Sequence, residues 1–325
     1  MKLLVTGGAG YIGSVVAAQL VADGHEVVVL DDLSTGHADA VPRGAAFVEG
    51  DLRFAAAPLL ASGVDAVLHF AARSLVGESV AEPARYWEHN LGGTLALLEA
   101  MHAAGVTRMV FSSTASVYGE PEAVPIPETA PPRPTNPYGA SKLAVDMTLR
   151  EYARLHGLGA VSLRYFNVAG AYREHGGGWL GERHETETHL IPNILAIALR
   201  GTGEVSMFGD DYPTPDGTCI RDYIHVADLA RAHLLALAAC VPGEHQVLNV
   251  GSGSGFSNRE VLAACKDVTG RAIPARMAPR RPGDPAVLIA SADRIRAGLG
   301  WRPTRSLTDM VADSWAFMES KAGAR

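Results

Sequence analysis

Cysteine is scarce in this chain: three among 325 residues, at Cys219, Cys240 and Cys265. An odd number without ligand-like spacing excludes a disulfide framework and a cysteine-based metal centre. It implies reduced thiols in a cytosolic protein, and no metal is expected. Long apolar runs are missing too. No stretch approaches the roughly 20 residues that span a bilayer, so no membrane partner is expected. The apolar N-terminal run passes directly into glycines and reads as a buried strand, not a signal peptide. A basic excess is also absent. Lys and Arg number 28 against 35 Asp and Glu, a net charge of −7 that argues against nucleic acid as a partner. Charge blocks, repeats and disordered linkers do not occur.

What is present is a globular composition, 47% hydrophobic with 35 Gly and 19 Pro, in a chain long enough for one large unit or two joined lobes. Short apolar, β-branched runs recur at Lys2–Thr6, Glu26–Leu30, Ala45–Glu49, Ala66–Ala71, Arg108–Ser112 and Ala160–Arg164. Helical patterns separate them at Tyr11–Ala22, Arg85–Ala104 and Tyr138–His156. This alternation predicts an α/β fold with a doubly wound, Rossmann-like parallel sheet over residues 1–168. Beyond Val168 the texture becomes richer in Gly, His and Glu, with a further apolar helix at His225–Ala239. Residues 169–325 are therefore expected to form a smaller α/β substrate lobe, with segments around 218–240 and 285–291 returning to the first domain.

The turn Gly7-Gly8-Ala9-Gly10-Tyr11-Ile12-Gly13 leaves the first strand and opens the first helix. Glycine suits positions where backbone turns through positive φ or approaches a pyrophosphate without a Cβ. The helix N-terminus adds free N–H groups and positive dipole. Asp31, at the end of the second strand, accepts hydrogen bonds from an adenosine ribose and repels a 2′-phosphate, favouring NAD over NADP. Asp51 and Leu52 follow the third strand, where adenine would lie. Phe70-Ala71-Ala72 follow the fourth, beside the pyrophosphate and nicotinamide ribose.

Tyr138-Gly139-Ala140-Ser141-Lys142 sets a phenol and an ammonium on one helix face. Such a lysine, together with an oxidised nicotinamide, is expected to lower the tyrosine pKa and make it a base. Ser112-Ser113-Thr114 brings hydroxyls to the C-terminal end of the fifth strand, the edge where such sheets bind ligands.

These motifs, with HFAARSLVGES, NLGGT, SSTASVYGE, LRYFN, GTCIRDYIHV and RRPGD in one order, resemble the extended short-chain dehydrogenase/reductase family, and within it the UDP-glucose 4-epimerase group. The resemblance covers essentially the whole chain. It implies NAD-dependent interconversion of UDP-glucose and UDP-galactose through a transient 4-keto sugar, in a homodimer paired through the helices near 85–104 and 138–156. Tyr138 would be the base, Lys142 its tuning partner and Thr114 the supporting hydroxyl. The cofactor would meet Gly7, Gly10, Tyr11, Ile12, Gly13, Asp31, Asp32, Leu33, Ser34, Thr35, Gly36, Asp51, Leu52, Phe70, Ala71, Ala72, Ser74, Asn90, Ser112, Tyr138, Lys142 and Tyr165. The UDP-sugar would meet Thr114, Tyr138, Phe166, Asn167, His189, Leu190, Ser206, Met207, Phe208, Arg221, Tyr223, Arg281, Asp284 and Leu288. Paired guanidiniums suit a diphosphate.

Departures from the family pattern carry their own expectations. Ser74, beside Arg73, replaces a lysine, which would rearrange that cofactor contact. His189 stands where relatives often carry asparagine, and His89 precedes Asn90. Leu288 replaces a tyrosine that narrows the sugar pocket, which would admit an N-acetyl group. A 4,6-dehydratase would need Asp-Glu after the catalytic hydroxyl, where Ala115-Ser116 stand. Epimerases of UDP-glucuronate or UDP-pentoses stay open alternatives, as does a non-catalytic NAD-binding regulator, against which the intact Tyr138–Lys142 pair argues.

Overall fold

A computed structural model describes residues 1–281 and 284–323. Six strands occupy the first half: β1 (Lys2–Thr6), β2 (Glu26–Asp31), β3 (Ala46–Glu49), β4 (Ala66–His69), β5 (Arg108–Thr114) and β6 (Gly159–Tyr165). Between them run α1 (Tyr11–Ala22), α2 (Leu52–Leu60), α3 (Val76–Ala81), α4 (Pro83–Tyr86), α5 (Gly93–Ala104) and α6 (Pro137–His156). A seventh strand, His245–Val250, comes from far along the chain and pairs in parallel with β6. Across the sheet the order is His245–Val250, β6, β5, β4, β1, β2, β3. Every pairing in it is parallel, giving the doubly wound α/β architecture.

Strands covered on both faces need nearly continuous apolar sequence, and all four residues of β4 are buried. Alternation then sorts neighbours to opposite faces. Leu3, Val29 and Leu68 enter one core with α1 and the helix Val226–Ala238; Leu4, Val28 and Val67 enter another with α2, α5 and α6. Strand order reverses between β1 and β4, so the loops leaving those two strands diverge. The crevice between them opens at the C-terminal edge of the sheet.

Two sequence expectations change here. The seventh strand was not anticipated, because His245–Val250 is one short run among the turn-rich segments of the C-terminal third. The single helix expected over Arg85–Ala104 is in fact α4, a wider π-type turn at Trp87–Gly92, and α5. Such bulges gather at functional sites, and this one carries Asn90.

The remaining elements build on the C-terminal edge. The strand Ile220–His225 pairs with Asn167–Ala169, Gly255–Ser257 and Val287–Leu288. Val205–Phe208 pairs with Ala275–Ala278. The helices Leu190–Arg200, Asn258–Thr269 and Leu307–Ala322 enclose a third core around Ile194, Val261 and Met310. Among the described residues no helix is long and apolar enough to cross a membrane.

Candidate active site

The glycine turn is shaped by contact. Gly7 has φ +71°, and a Cβ there would stand 2.5 Å from the Ala71 nitrogen; one on Gly13 would stand 2.2 Å from the Gly7 carbonyl oxygen. Both distances are far inside van der Waals contact, so only glycine lets α1 start this close to the loop after β4. Asp31 closes the far side. Its carboxylate accepts from the Ala9 nitrogen at 2.9 Å and the Leu33 nitrogen at 2.9 Å. Burial raises its pKa, and those two backbone donors oppose the rise. Each oxygen keeps a lone pair for ribose hydroxyls. The turn that follows is tight: Leu33 lies at φ +56°, and the Ser34 nitrogen donates to Asp32.

A cleft of about 830 Å³ begins at this turn. It is lined by the predicted cofactor residues Gly7, Gly10, Tyr11, Ile12, Gly13, Asp31 through Gly36, Asp51, Leu52, Phe70, Ala71, Ala72, Ser74, Ser112 and Tyr165. The same cleft reaches Thr114, Tyr138 and Lys142. Asn90 acts from behind the wall: it accepts from the Arg73 nitrogen at 2.8 Å and donates to the Arg73 carbonyl at 3.0 Å and to Ser141 Oγ at 3.0 Å. The π-type turn thus pins the loop after β4 to the first turn of α6. Asp51 caps α2, and the Arg53 guanidinium on its carboxylate holds its pKa below the usual range. Arg73 reaches toward Glu78 at 3.8 Å, with its Nε buried and unpartnered.

Helix α6 starts where its sequence dictates. The Asn136 side chain accepts from the Gly139 nitrogen at 2.9 Å, and Pro137 occupies the first helical position. Tyr138 therefore sits in the first turn and Lys142 one turn later. Lys142, 3% exposed, donates from Nζ to the Ser112 carbonyl at 2.8 Å and stands over the Phe111 ring. Burial depresses its pKa to about 7, with Asp146 opposing. The Tyr138 phenol moves against expectation. Burial raises its pKa, and the Thr114 hydroxyl pulls it back only in part. Lys142 directs one N–H to the Ser112 carbonyl, a bond that does not consume its charge, and the positive charge of a bound oxidised nicotinamide would add to it in lowering the phenol. Tyr165 bonds Ser112 Oγ on the neighbouring strand.

The predicted substrate residues fall into two groups. Phe166, Asn167, His189, Leu190 and Tyr223 line the main cleft. Arg281 and Asp284 line a second cavity of about 660 Å³ with Tyr212 and Arg280. There Arg221 pairs with Asp284, and the Arg281 guanidinium stacks over Phe208 at 4.0 Å. Pro282 and Gly283 of the Arg-Arg-Pro-Gly-Asp motif lie outside the described residues. Leu288, opposite Arg221 in the strand register, packs with Phe166 on the small core of Val117, Tyr118 and Ile126, joining the two groups. Ser206 sits on the same strand as Phe208, whereas Met207 is buried in the third core, 2% exposed. Alternation along that strand sends Met207 to the opposite face.

Sequence reasoning missed the segment Gly181–Thr186, which lines the cleft opposite the glycine turn. It also missed Tyr11 as a strut: its hydroxyl donates to the Gly170 carbonyl at 2.6 Å. The available signal was the run of alternating Glu and His from Glu182 to His189. Burial disfavours charge on His189, but Glu182 and Glu187 outweigh it and lift its pKa to about 8.

A parallel sheet with a glycine turn, an acidic strand end and a Thr/Tyr/Lys set in one crevice defines a dinucleotide-dependent enzyme acting on a carbinol. Residues 3–251 match the model of the NAD dependent epimerase/dehydratase family, and the chain belongs to that family. A UDP-glucose 4-epimerase of Streptomyces lividans is 58% identical over 325 residues, covering 98% of this chain and 96% of the relative. One from Corynebacterium glutamicum is 54% identical over 319 residues, covering 98% and 95%. A UDP-glucose 4-epimerase from Stenotrophomonas maltophila, crystallised with NAD and formylated UDP-arabinopyranose, superposes with a TM-score of 0.93 at 42% identity and full coverage of both chains.

Proposed function

We propose that this chain interconverts UDP-glucose and UDP-galactose, as a UDP-glucose 4-epimerase that keeps NAD bound through turnover. The observation that carries the reading is one cleft in which the glycine turn, Asp31 and the Thr114–Tyr138–Lys142 set converge. The cradle suits the dinucleotide, since the space that Cβ atoms would fill at Gly7 and Gly13 is taken by close backbone. NAD held by the glycine turn and Asp31 would supply the hydride acceptor and donor that oxidation and reduction at the sugar C4 require. The Tyr138 phenolate removes the 4-hydroxyl proton and later returns it, with the Thr114 hydroxyl bonding the same oxygen. Lys142, fixed to the Ser112 carbonyl, would be one of the residues that hold the nicotinamide ribose. The hexose must turn over between the two half-reactions, so its anchorage has to come from elsewhere. Arg221 and Arg281 supply guanidiniums for the diphosphate.

Two lobes, over residues 1–168 and 169–325, belong to this reading, with the second returning strand His245–Val250 to the first sheet. Leu288 in place of a bulkier residue extends the substrates to UDP-N-acetylglucosamine and its epimer. A homodimer through α5 and α6 is supported by Leu95, Met147 and Leu155, which those helices leave 38%, 53% and 59% exposed. Three free, buried cysteines accord with a cytoplasmic setting. Incubation with UDP-galactose and with UDP-N-acetylgalactosamine, followed by separation of products, tests the activity and its breadth. Tyr138→Phe is expected to retain dinucleotide and lose turnover by about 10²–10⁴-fold. Unchanged turnover would sink the assignment.

A further inference from the structure

Glu182, His184, Glu187 and His189 converge at the end of the cleft, each offering one ligand atom, all four within 4.8 Å of one another. They come from a short segment between the strand Trp179–Gly181 and the helix Leu190–Arg200, with Glu-x-His-x-x-Glu-x-His spacing. The cysteine spacing that excludes a cysteine-based centre does not bear on these histidines and glutamates.

Three of the donor separations are informative. His184 Nδ1 lies 3.3 Å from Glu182 Oε1 and 3.3 Å from Glu187 Oε2, and His189 Nδ1 lies 3.5 Å from Glu187 Oε1. These are long for hydrogen bonds, whose usual range ends near 3.2 Å. The two that share His184 Nδ1, to one oxygen each of Glu182 and Glu187, match the edge of a tetrahedron whose centre holds nitrogen and oxygen ligands at about 2.0–2.1 Å, an edge of roughly 3.3 Å. His189 Nδ1 faces the other Glu187 oxygen and would shift to join the same tetrahedron. His189 Nδ1 and Glu182 Oε1, in direct contact, would part to reach that edge.

Charge points the same way. The Glu182 side chain is only 7% exposed, and a buried carboxylate needs a compensating charge. Among the described residues no Lys or Arg pairs with Glu182 or Glu187; their ion-pair partners are the two imidazoles. The adjacent Arg183 turns away to Asp39. Without metal the carboxylates are compensated by protons held on the imidazoles; a divalent cation that displaces those protons would balance the −2 of two carboxylates and two neutral imidazoles.

We infer that Glu182, His184, Glu187 and His189 form a tetrahedral site for a borderline divalent transition metal, zinc above all. The N₂O₂ donor set favours zinc over magnesium or calcium, which prefer all-oxygen shells with more ligands. The ion ties the loop that borders the cleft to the first turn of the helix Leu190–Arg200, whose N-cap is His189.

The site is testable without measuring turnover, so its failure and that of the epimerase reading are separate outcomes. Full-length protein with its dinucleotide is stripped with a chelator and titrated with Co²⁺, then with Zn²⁺. The expected result is one saturable Co²⁺ per chain with the intense visible bands of tetrahedral coordination, bleached by Zn²⁺. Zinc at about a hundredfold excess over its Kd should also raise the thermal midpoint by several degrees. His184→Gln and Glu187→Gln should each weaken binding at least tenfold, while the remote His25→Gln should leave it unchanged. The wild-type titration decides even where a variant misfolds. No saturable binding, a weak octahedral spectrum, or affinity indifferent to the folded His184→Gln and Glu187→Gln proteins overturns the proposal.

Discussion

At the scale of single residues, close backbone contact governs the cofactor end of the cleft and proton affinity governs the reactive end. A methyl on Gly13 would meet the Gly7 carbonyl oxygen at 2.2 Å, and backbone has no rotamer with which to yield. Gly13→Ala is therefore expected to purify without dinucleotide, as read from its near-ultraviolet absorbance ratio, while wild type carries about one per chain. Full occupancy in that variant would show that α1 can shift. At the other end, burial pushes the Tyr138 phenol up and the Lys142 ammonium down, toward neutral forms in both cases. The positive charge of an oxidised dinucleotide would counter the effect of burial and bring the phenol down. Ultraviolet titration of the bound protein should find a phenolate forming at lower pH than in stripped protein, and in Tyr138→Phe that difference should vanish.

Among the elements, α6 matters most, because one helix presents both reactive groups. Its first turn is set by Asn136 and Pro137, and its next turns are tied to β6 by a buried ion pair. Arg164 donates to Asp146 at 3.0 and 2.8 Å, with side-chain exposures of 6% and 4%. Arg164 also donates to the Tyr118 hydroxyl at 3.1 Å, which in turn donates to Asn249 on the seventh strand at 2.7 Å. Removing one charge leaves the other buried without compensation, which costs about 3–5 kcal/mol. Asp146→Asn should lower stability by that order in urea unfolding. A loss below about 1 kcal/mol would mean that water or a shifted side chain replaces the carboxylate.

The whole molecule also carries a pH signature. His69 is buried between Thr6 and Thr94, with nitrogens 2.6 and 2.9 Å from their hydroxyls, and burial lowers its pKa to about 3. His233, packed against Phe70 and Tyr165, is lowered by burial to about 4. The unfolded chain takes up these protons near pH 6.5, before the folded one does. Protons bound in the unfolded state exceed those in the native state through this window, so stability rises with pH there. On acidification it is lost progressively from about pH 6.5 down toward pH 4, where the native histidines begin to titrate. Urea midpoints measured across that range should fall with pH, and His69→Gln should show a shallower slope. An equal slope in the variant would assign the acid sensitivity to other groups.

Several features of this protein were determined by local sequence alone. The strand–glycine–helix opening, the acidic end of β2, the hydroxyls of β5 and the Tyr138–Lys142 spacing are each written in a few adjacent residues, so their pattern survives in one dimension even though their partners are distant. Other features needed long-range packing. The seventh strand joins β6 across about eighty intervening residues. The π-type turn carries Asn90, whose bonds reach both Arg73 and Ser141. Only the fold decides that Arg221 pairs with Asp284, which lines a second cavity with Arg281, while Met207, between two candidate neighbours, is buried. It also sets the direction of the tyrosine and lysine pKa shifts, since burial is a property of the assembled molecule and no residue carries it alone.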